Sequence, residues 1–182
     1  MHRHDHRFRW VQASGLILVF VFVVASGITN AQPVSGVVPV TDEMLQDPAP
    51  EDWLMWRRTL DSWGYSPLDQ VKRENVDQLQ MVWSRALATG RQEGTPLAYG
   101  GVLYMPQASD VIEAIDAVTG DLKWSHRRAL PEDVYDYVGG NARNNRNIAI
   151  YDRFIINTSD DNFVFGLDVD TGEIAWETKI FD

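Results

Sequence analysis

The sequence predicts an all-β fold: the first blades of a β-propeller that is incomplete in this chain. An eleven-residue element occurs twice, at 114–124 and again at 166–176, 52 residues further along the chain. The two copies, AIDAVTGDLKW and GLDVDTGEIAW, share Asp, Thr, Gly and Trp at the same offsets. Within each period, short runs of β-branched and aromatic residues alternate with turn-forming residues. Four short strands per repeat of about this length are typical of a propeller blade.

The composition excludes several function classes. The 182 residues include no Cys, so thiolate catalysis, Cys-ligated zinc, iron–sulfur clusters and disulfides are excluded. There are 26 acidic and 16 basic residues, a net charge of −10, which disfavours nucleic acid as a partner. The 45% of hydrophobic residues is enough to fill a core.

Residues 1–31 have the pattern of a secretory signal peptide. Arg3, Arg7 and Arg9 precede an uncharged run at 16–25, and small residues lead to a predicted cleavage site after Ala31. The alternative is a retained membrane anchor, but a spanning helix needs roughly 20 apolar residues and this run is shorter. We therefore expect an exported protein, with membrane association only through an uncleaved signal.

The rest of the chain divides into four segments. Residues 32–94 lead into the propeller, 95–128 form a first blade, 129–146 a connecting loop and 147–182 a second blade. The predicted strands are Thr95 to Tyr99, Val102 to Met105, Asp110 to Ile115, Asp121 to Arg127, Asn147 to Tyr151, Phe154 to Thr158, Phe163 to Leu167 and Glu173 to Lys179. A degenerate third copy of the repeat lies at 75–83 and keeps only a Trp, Trp83, before a turn-rich segment.

The repeated side chains suit a structural role rather than a catalytic one. The Asp carboxylate can accept hydrogen bonds from turn amides, and the Gly can adopt the positive φ that closes a hairpin. The Trp then lies on the outer strand, where its ring can fill the gap between blades. These residues are Asp116, Thr119, Gly120 and Trp124 in the first copy, and Asp168, Thr171, Gly172 and Trp176 in the second.

The chain is too short to close a propeller. Once 1–31 are removed, fewer than three periods remain, whereas propellers close with roughly four to eight blades. We therefore expect this sequence to be the amino-terminal part of a longer protein, with a nonfunctional gene remnant as an alternative.

Several motifs together resemble the quinoprotein alcohol dehydrogenases, which depend on pyrroloquinoline quinone (PQQ). The element at 114–124 resembles their tryptophan-docking motif, and the segments at 41–45, 52–58, 63–69 and 75–83 resemble the start of the methanol and ethanol dehydrogenase branch. The resemblance covers nearly all of 41–182. It implies an eight-bladed propeller with PQQ on the central axis over calcium, or over a lanthanide in some branches.

The resemblance also implies which residues contact the cofactor. Glu93 matches a Glu that contacts the quinone, Arg146 an Arg that bonds the quinone oxygens, and Thr158 a Thr that bonds a cofactor carboxylate. PQQ is a planar trianion, which suits an Arg fork and hydroxyl donors. Many members place two adjacent Cys, joined in a disulfide, where this chain has Gly140 and Asn141. The family's metal ligands and catalytic Asp are expected beyond residue 182, so no catalytic or metal-binding residue is assigned in this chain.

The function implied is oxidation of primary alcohols by hydride transfer to PQQ. Electrons would then pass to a cytochrome c in the periplasm, and the present chain alone would be inactive. The alternative is a non-catalytic propeller scaffold that shares the repeat and holds partner proteins. Such a scaffold would not need Glu93, Arg146 and Thr158 to converge.

Overall fold

The computed structural model describes residues 36–134, 136 and 144–180. The predicted signal peptide at 1–31 and the loop positions Gly140 and Asn141 lie outside the described residues. None of the helices among the described residues is long and apolar enough to cross a membrane.

Eight strands form two four-stranded antiparallel sheets, which confirms the predicted all-β fold. In both sheets the strands follow one another in chain order, each joined to the next by a short turn. The first sheet consists of β1 (Leu97–Tyr99), β2 (Val102–Gln107), β3 (Val111–Asp116) and β4 (Leu122–Arg127). The second consists of β5 (Ala149–Tyr151), β6 (Phe154–Thr158), β7 (Phe163–Asp168) and β8 (Ile174–Lys179).

Several strand boundaries differ from the prediction, and the turns explain why. Strand β1 begins at Leu97 rather than Thr95, because the Thr95 amide donates to the Arg146 carbonyl and Pro96 has no amide hydrogen. Asp110 belongs to the turn before β3, where its φ of 51° is left-handed. Strands β4, β5 and β8 also begin one or two residues later than predicted.

The segment that precedes the first sheet contacts both sheets. Val40 pairs with Asp152 in the turn between β5 and β6, and Trp53 pairs with Ala98 on β1. A short helix, α1 (Asp42–Gln46), follows Val40 and is capped by the Thr41 hydroxyl, and a 3₁₀ turn covers Val76–Gln78. Backbone pairing thus fixes this segment across the two sheets.

The core lies within and between the two sheets and extends under the preceding segment. Period-two alternation in the strands turns large apolar residues toward it. Its fully buried members include Leu54, Leu97, Tyr104, Ile112, Ile155, Phe165 and Leu167. Burial raises the pKa of the Tyr104 phenol, whose hydroxyl reaches toward the Val169 carbonyl at 3.5 Å. The two sheets therefore share one core.

Candidate functional site

The two repeated turns have the same geometry. The Asp116 carboxylate accepts hydrogen bonds from the amides of Val118 and Thr119, both at 2.9 Å, which lower its pKa. Asp168 accepts from Asp170 and Thr171 at 2.9 and 3.1 Å in the second turn. Gly120 and Gly172 close these turns with φ of 77° and 72°, a conformation that costs other residues free energy.

Trp124 of the first sheet is docked on the turn of the second sheet. Its indole N–H donates to the Val169 carbonyl at 2.9 Å, and the residue is only 8% exposed. A Cβ added to Gly172 would lie 2.5 Å from the indole ring of Trp124. Gly172 is thus needed for its φ and also because the ring lies directly against its backbone.

Trp83, in the degenerate third copy of the repeat, makes the equivalent contact with the repeated turn of the first sheet. Its indole N–H donates to the Ala117 carbonyl at 3.1 Å. A Cβ on Gly120 would lie 2.7 Å from its ring. Trp83 and Trp124 therefore dock on successive turns in the same way.

Trp176, the counterpart of Trp124 on the second sheet, is only half-buried. Its indole lies over Gly166 of its own sheet and contacts Phe154 edge-on, with ring centroids 6.2 Å apart. Within the part of the chain that the structure describes, its N–H has no hydrogen-bond acceptor.

Glu93 and Arg146 meet where the chain leads into the two sheets. The Nε of Arg146 lies 2.9 Å from a carboxylate oxygen of Glu93, and Arg91 approaches the other oxygen at 3.6 Å. The Thr95 amide donates to the Arg146 carbonyl at 2.9 Å, which joins the two backbones beside the ion pair. Gly94 lies so close to the Pro106 carbonyl that a Cβ there would overlap it.

Thr158 lies at the exposed end of β6. Among the described residues it has no hydrogen bond to Glu93 or Arg146. The preceding residue, Asn157, is buried, and neither polar atom of its side chain has a partner. The structure therefore brings together two of the three residues for which the resemblance implies a role in cofactor binding.

The surroundings of Arg146 fit an anionic, oxygen-rich ligand such as PQQ. Its side chain is 62% exposed and uses only Nε toward Glu93, so its two terminal nitrogens can donate elsewhere. The side-chain amide nitrogens of Asn144 and Asn145 are buried without an acceptor among the residues that the structure describes. Sequence reasoning missed these amides, although both immediately precede Arg146. No three His, Asp or Glu side chains could hold a metal ion within residues 36–134, 136 and 144–180.

A charged layer between the sheets, in which Arg128 and Asp161 are largely buried and Glu177 is partly exposed, was also missed from sequence. Arg128, just after β4, bonds both carboxylate oxygens of Asp161 at 3.0 and 2.9 Å and reaches Glu177 at 2.8 Å. Its guanidinium lies over the Phe163 ring, 4.6 Å from the centroid. The ring of His126, on the same face, lies 5.6 Å from that of Phe165. This layer fastens β4 to the second sheet beside Trp124.

Comparison with known proteins places this architecture among quinone-dependent dehydrogenases. The family model of the glucose/ethanol/alcohol dehydrogenase β-propeller domain, PQQ, matches residues 53–178. The dehydrogenase subunit of the alcohol dehydrogenase (quinone) of Gluconacetobacter polyoxogenes is 37% identical over 134 residues, which are 73% of this chain. The 1-butanol dehydrogenase (quinone) of Thauera butanivorans is 31% identical over 169 residues, 88% of this chain.

A solved structure shares the fold, and the relatives are much longer. A europium-containing methanol dehydrogenase superposes with a TM-score of 0.70 and 27% identity over 78% of this chain and 25% of its own. The chain spans 18% of the Gluconacetobacter relative and 26% of the Thauera relative.

Proposed function

Because the chain belongs to the glucose/ethanol/alcohol dehydrogenase β-propeller family, we propose that it is part of a PQQ-dependent dehydrogenase that oxidises primary alcohols. The relatives named alcohol dehydrogenase (quinone) and 1-butanol dehydrogenase (quinone) support this substrate class. The observation that carries the proposal is the 2.9 Å contact of Glu93 with Arg146, which directly follows two asparagines whose side-chain amide nitrogens are buried without an acceptor among the described residues.

Arg146 and Glu93 would hold the cofactor where the chain leads into the two sheets. PQQ, when bound, accepts the hydride removed from the alcohol. The terminal nitrogens of Arg146 would donate to its oxygens, and Glu93 keeps the guanidinium oriented through their 2.9 Å contact. Thr158 would contribute a hydroxyl donor from β6. These residues bind and orient; we assign none of them a proton-transfer role.

The remaining parts of the proposal concern the whole enzyme. We propose that the protein is exported to the periplasm, with residues 1–31 as its signal peptide, and passes electrons to a cytochrome c. Calcium or a lanthanide would be held by residues beyond residue 182, which would also supply a catalytic Asp. The related methanol dehydrogenase contains europium, a lanthanide, which supports a metal site of this kind. The chain alone should show no dye-linked alcohol oxidation with PQQ and calcium.

The cofactor role is tested by titrating the chain with PQQ and following the quenching of tryptophan fluorescence. We expect saturable binding, weakened about tenfold by Arg146→Ala because a charge-assisted hydrogen bond is lost. The matched control is Arg73→Ala, at an exposed arginine outside the site. Absence of binding, as expected of a scaffold, or equal affinity in all three proteins would refute the proposal.

A further inference from the structure

The turn between β2 and β3, residues 108–110, lies at the same end of the first sheet as the ion pair of Glu93 and Arg146. Gly94, the residue after Glu93, lies against the Pro106 carbonyl near the end of β2. The carboxylate of Glu93 is itself paired with Arg146. The ion pair is therefore anchored beside the strand end from which this turn projects.

Asp110, the last residue of this turn, connects the first sheet to the second. It is only 5% exposed, and its carboxylate accepts a hydrogen bond from the hydroxyl of Ser159, in the turn between β6 and β7. Burial raises the pKa of Asp110, whereas the hydrogen bond from Ser159 acts in the opposite direction. Because a buried carboxyl is costly without hydrogen-bond donors, this contact favours a fixed arrangement of the two turns.

Ser159 transmits this constraint to Thr158, the residue directly before it. The Ser159 amide donates to the Phe163 carbonyl at 2.8 Å, and its carbonyl accepts from the Asn162 amide at 3.1 Å. Thr158 is itself exposed, so packing contributes little to its position. Because the peptide bond between the two residues is planar, fixing Ser159 also fixes the backbone of Thr158.

Arg128 adds a second connection between the same two turns. Its amide donates to the Asp110 carbonyl at 3.3 Å, and its guanidinium pairs with Asp161 of the turn between β6 and β7. Of the two connections, the hydrogen bond from Ser159 to Asp110 is the nearer to Thr158 in the sequence.

The backbone of the turn between β2 and β3 is unfavourable for its residues. Ser109 and Asp110 have left-handed φ values of 60° and 51°. This conformation costs residues other than glycine free energy, although Asp and Asn tolerate it better than most. Such conformations cluster at functional sites. The turn therefore keeps a side chain at Asp110 where glycine would be less strained, and that side chain bonds the second sheet.

We propose that Asp110 is a positioning residue for cofactor binding. Through Ser159, it fixes where the Thr158 hydroxyl lies relative to the ion pair on the first sheet. The inference rests on the proposed function, because it takes PQQ as the ligand of these residues. Since PQQ is planar and rigid, donors on two sheets can bind it together only if the sheets hold them at a matching separation. Asp110 acts through Ser159 and does not itself contact the cofactor.

A double-mutant cycle on PQQ affinity tests this role, with Asp110→Ala and Thr158→Val made separately and together in the 182-residue chain. Each single variant should bind PQQ about tenfold more weakly, because each loses the hydrogen bond from Thr158 to a cofactor carboxylate. The double variant should bind no more weakly than either single variant, since the same hydrogen bond is lost only once. Independent roles would instead multiply to about a hundredfold.

Three further variants separate positioning from stability. Ser159→Ala removes the same hydrogen bond from its donor side, should also weaken binding about tenfold, and can replace Asp110→Ala in the cycle. Asp110→Asn keeps an acceptor oxygen and tolerates the left-handed φ, so its affinity should stay within about twofold of the unaltered chain. Asp116→Ala is the matched control, because Asp116 caps the turn at the opposite end of β3. It should lower stability and leave PQQ affinity unchanged.

The results distinguish the positioning role from the proposed function. If the unaltered chain does not bind PQQ, the proposed function fails and the positioning role fails with it. If the unaltered chain binds PQQ and Arg146→Ala weakens binding, but Asp110→Ala and Ser159→Ala bind normally, only the positioning role is overturned. Multiplying losses in the double variant, or an equal loss in Asp116→Ala, would also overturn it.

Discussion

Trp124 and Trp176 occupy the same position of the repeated element, yet their surroundings differ. Trp124 is buried, hydrogen-bonded to Val169 and stacked on Gly172 of the next sheet. Trp176 is half-buried and lies back over Gly166 of its own sheet. Among the described residues, Trp124 docks on the turn of another sheet, whereas Trp176 contacts only its own sheet.

The residue beside each indole permits this difference. The residue opposite Trp124 is Ala114, and the one opposite Trp176 is Gly166. A Cβ on Gly166 would overlap the Trp176 ring. The fold-back position is therefore open to Trp176 because its neighbour is glycine.

The largest expected effect comes from removing each indole in turn. Trp124→Ala should lower the free energy of unfolding by about 3–5 kcal/mol, because a buried ring and an inter-sheet hydrogen bond are lost. Trp176→Ala should cost about 1–2 kcal/mol, since that ring is only half-buried. Urea denaturation of both variants measures the contrast. Equal losses would show that Trp124 does not anchor the two sheets.

Alanine substitutions at Gly172 and Gly101 separate the effect of the Trp124 ring from that of the backbone conformation. Gly172→Ala should cost about 2–3 kcal/mol, since it combines a strained φ with overlap on the immobile Trp124 ring. Gly101→Ala is the matched control, because its φ of 78° is similar but nothing lies near its Cβ. It should cost only about 1 kcal/mol. If both variants lose the same stability, the ring contributes nothing.

Gly166→Ala should behave differently again. Because Trp176 has no following turn to hold it among the described residues, its indole can swing into solvent, so stability should fall by about 1–2 kcal/mol, the contribution of the half-buried ring. The tryptophan emission should shift to longer wavelength as the ring is exposed. A large loss of stability without a spectral shift would show that Trp176 is fixed over its own sheet.

The smallest expected effect concerns His126 and the pH dependence of the free energy of unfolding. Burial, and secondarily Arg128, hold the pKa of His126 below its ordinary value of 6.5, although the Gly172 carbonyl acts in the opposite direction. The unfolded chain therefore takes up this proton at higher pH than the folded chain, and stability should fall as the pH drops through 6.5. His126→Gln should flatten the profile of unfolding free energy against pH. An unchanged slope would assign the dependence to other groups.

The eight strands could be predicted because local information determines them. Alternating β-branched residues and turns rich in Gly, Asp and Asn specify each hairpin without reference to distant residues. The exact starts of strands were less predictable. Thr95 looks like a strand residue, but its amide bonds Arg146, which is 51 positions away in the sequence. Such a contact depends on how the two sheets pack.

The candidate site was predictable only in part, for the same reason. The resemblance pointed to Glu93 and Arg146, and the structure joins them. The inter-sheet role of Arg128 lay outside any motif, since its partners Asp161 and Glu177 come from different parts of the second sheet. The role of Trp83 was hidden because its copy of the repeat lacks the turn.

Docking of a Trp of one repeat on the turn of the next can be tested by measuring the exchange of the indole N–H groups by NMR. We expect slow exchange for Trp124, whose N–H donates to the Val169 carbonyl, and for Trp83, whose N–H donates to the Ala117 carbonyl. Trp176 should exchange at the rate of a free indole. Equally fast exchange at all three would contradict this docking.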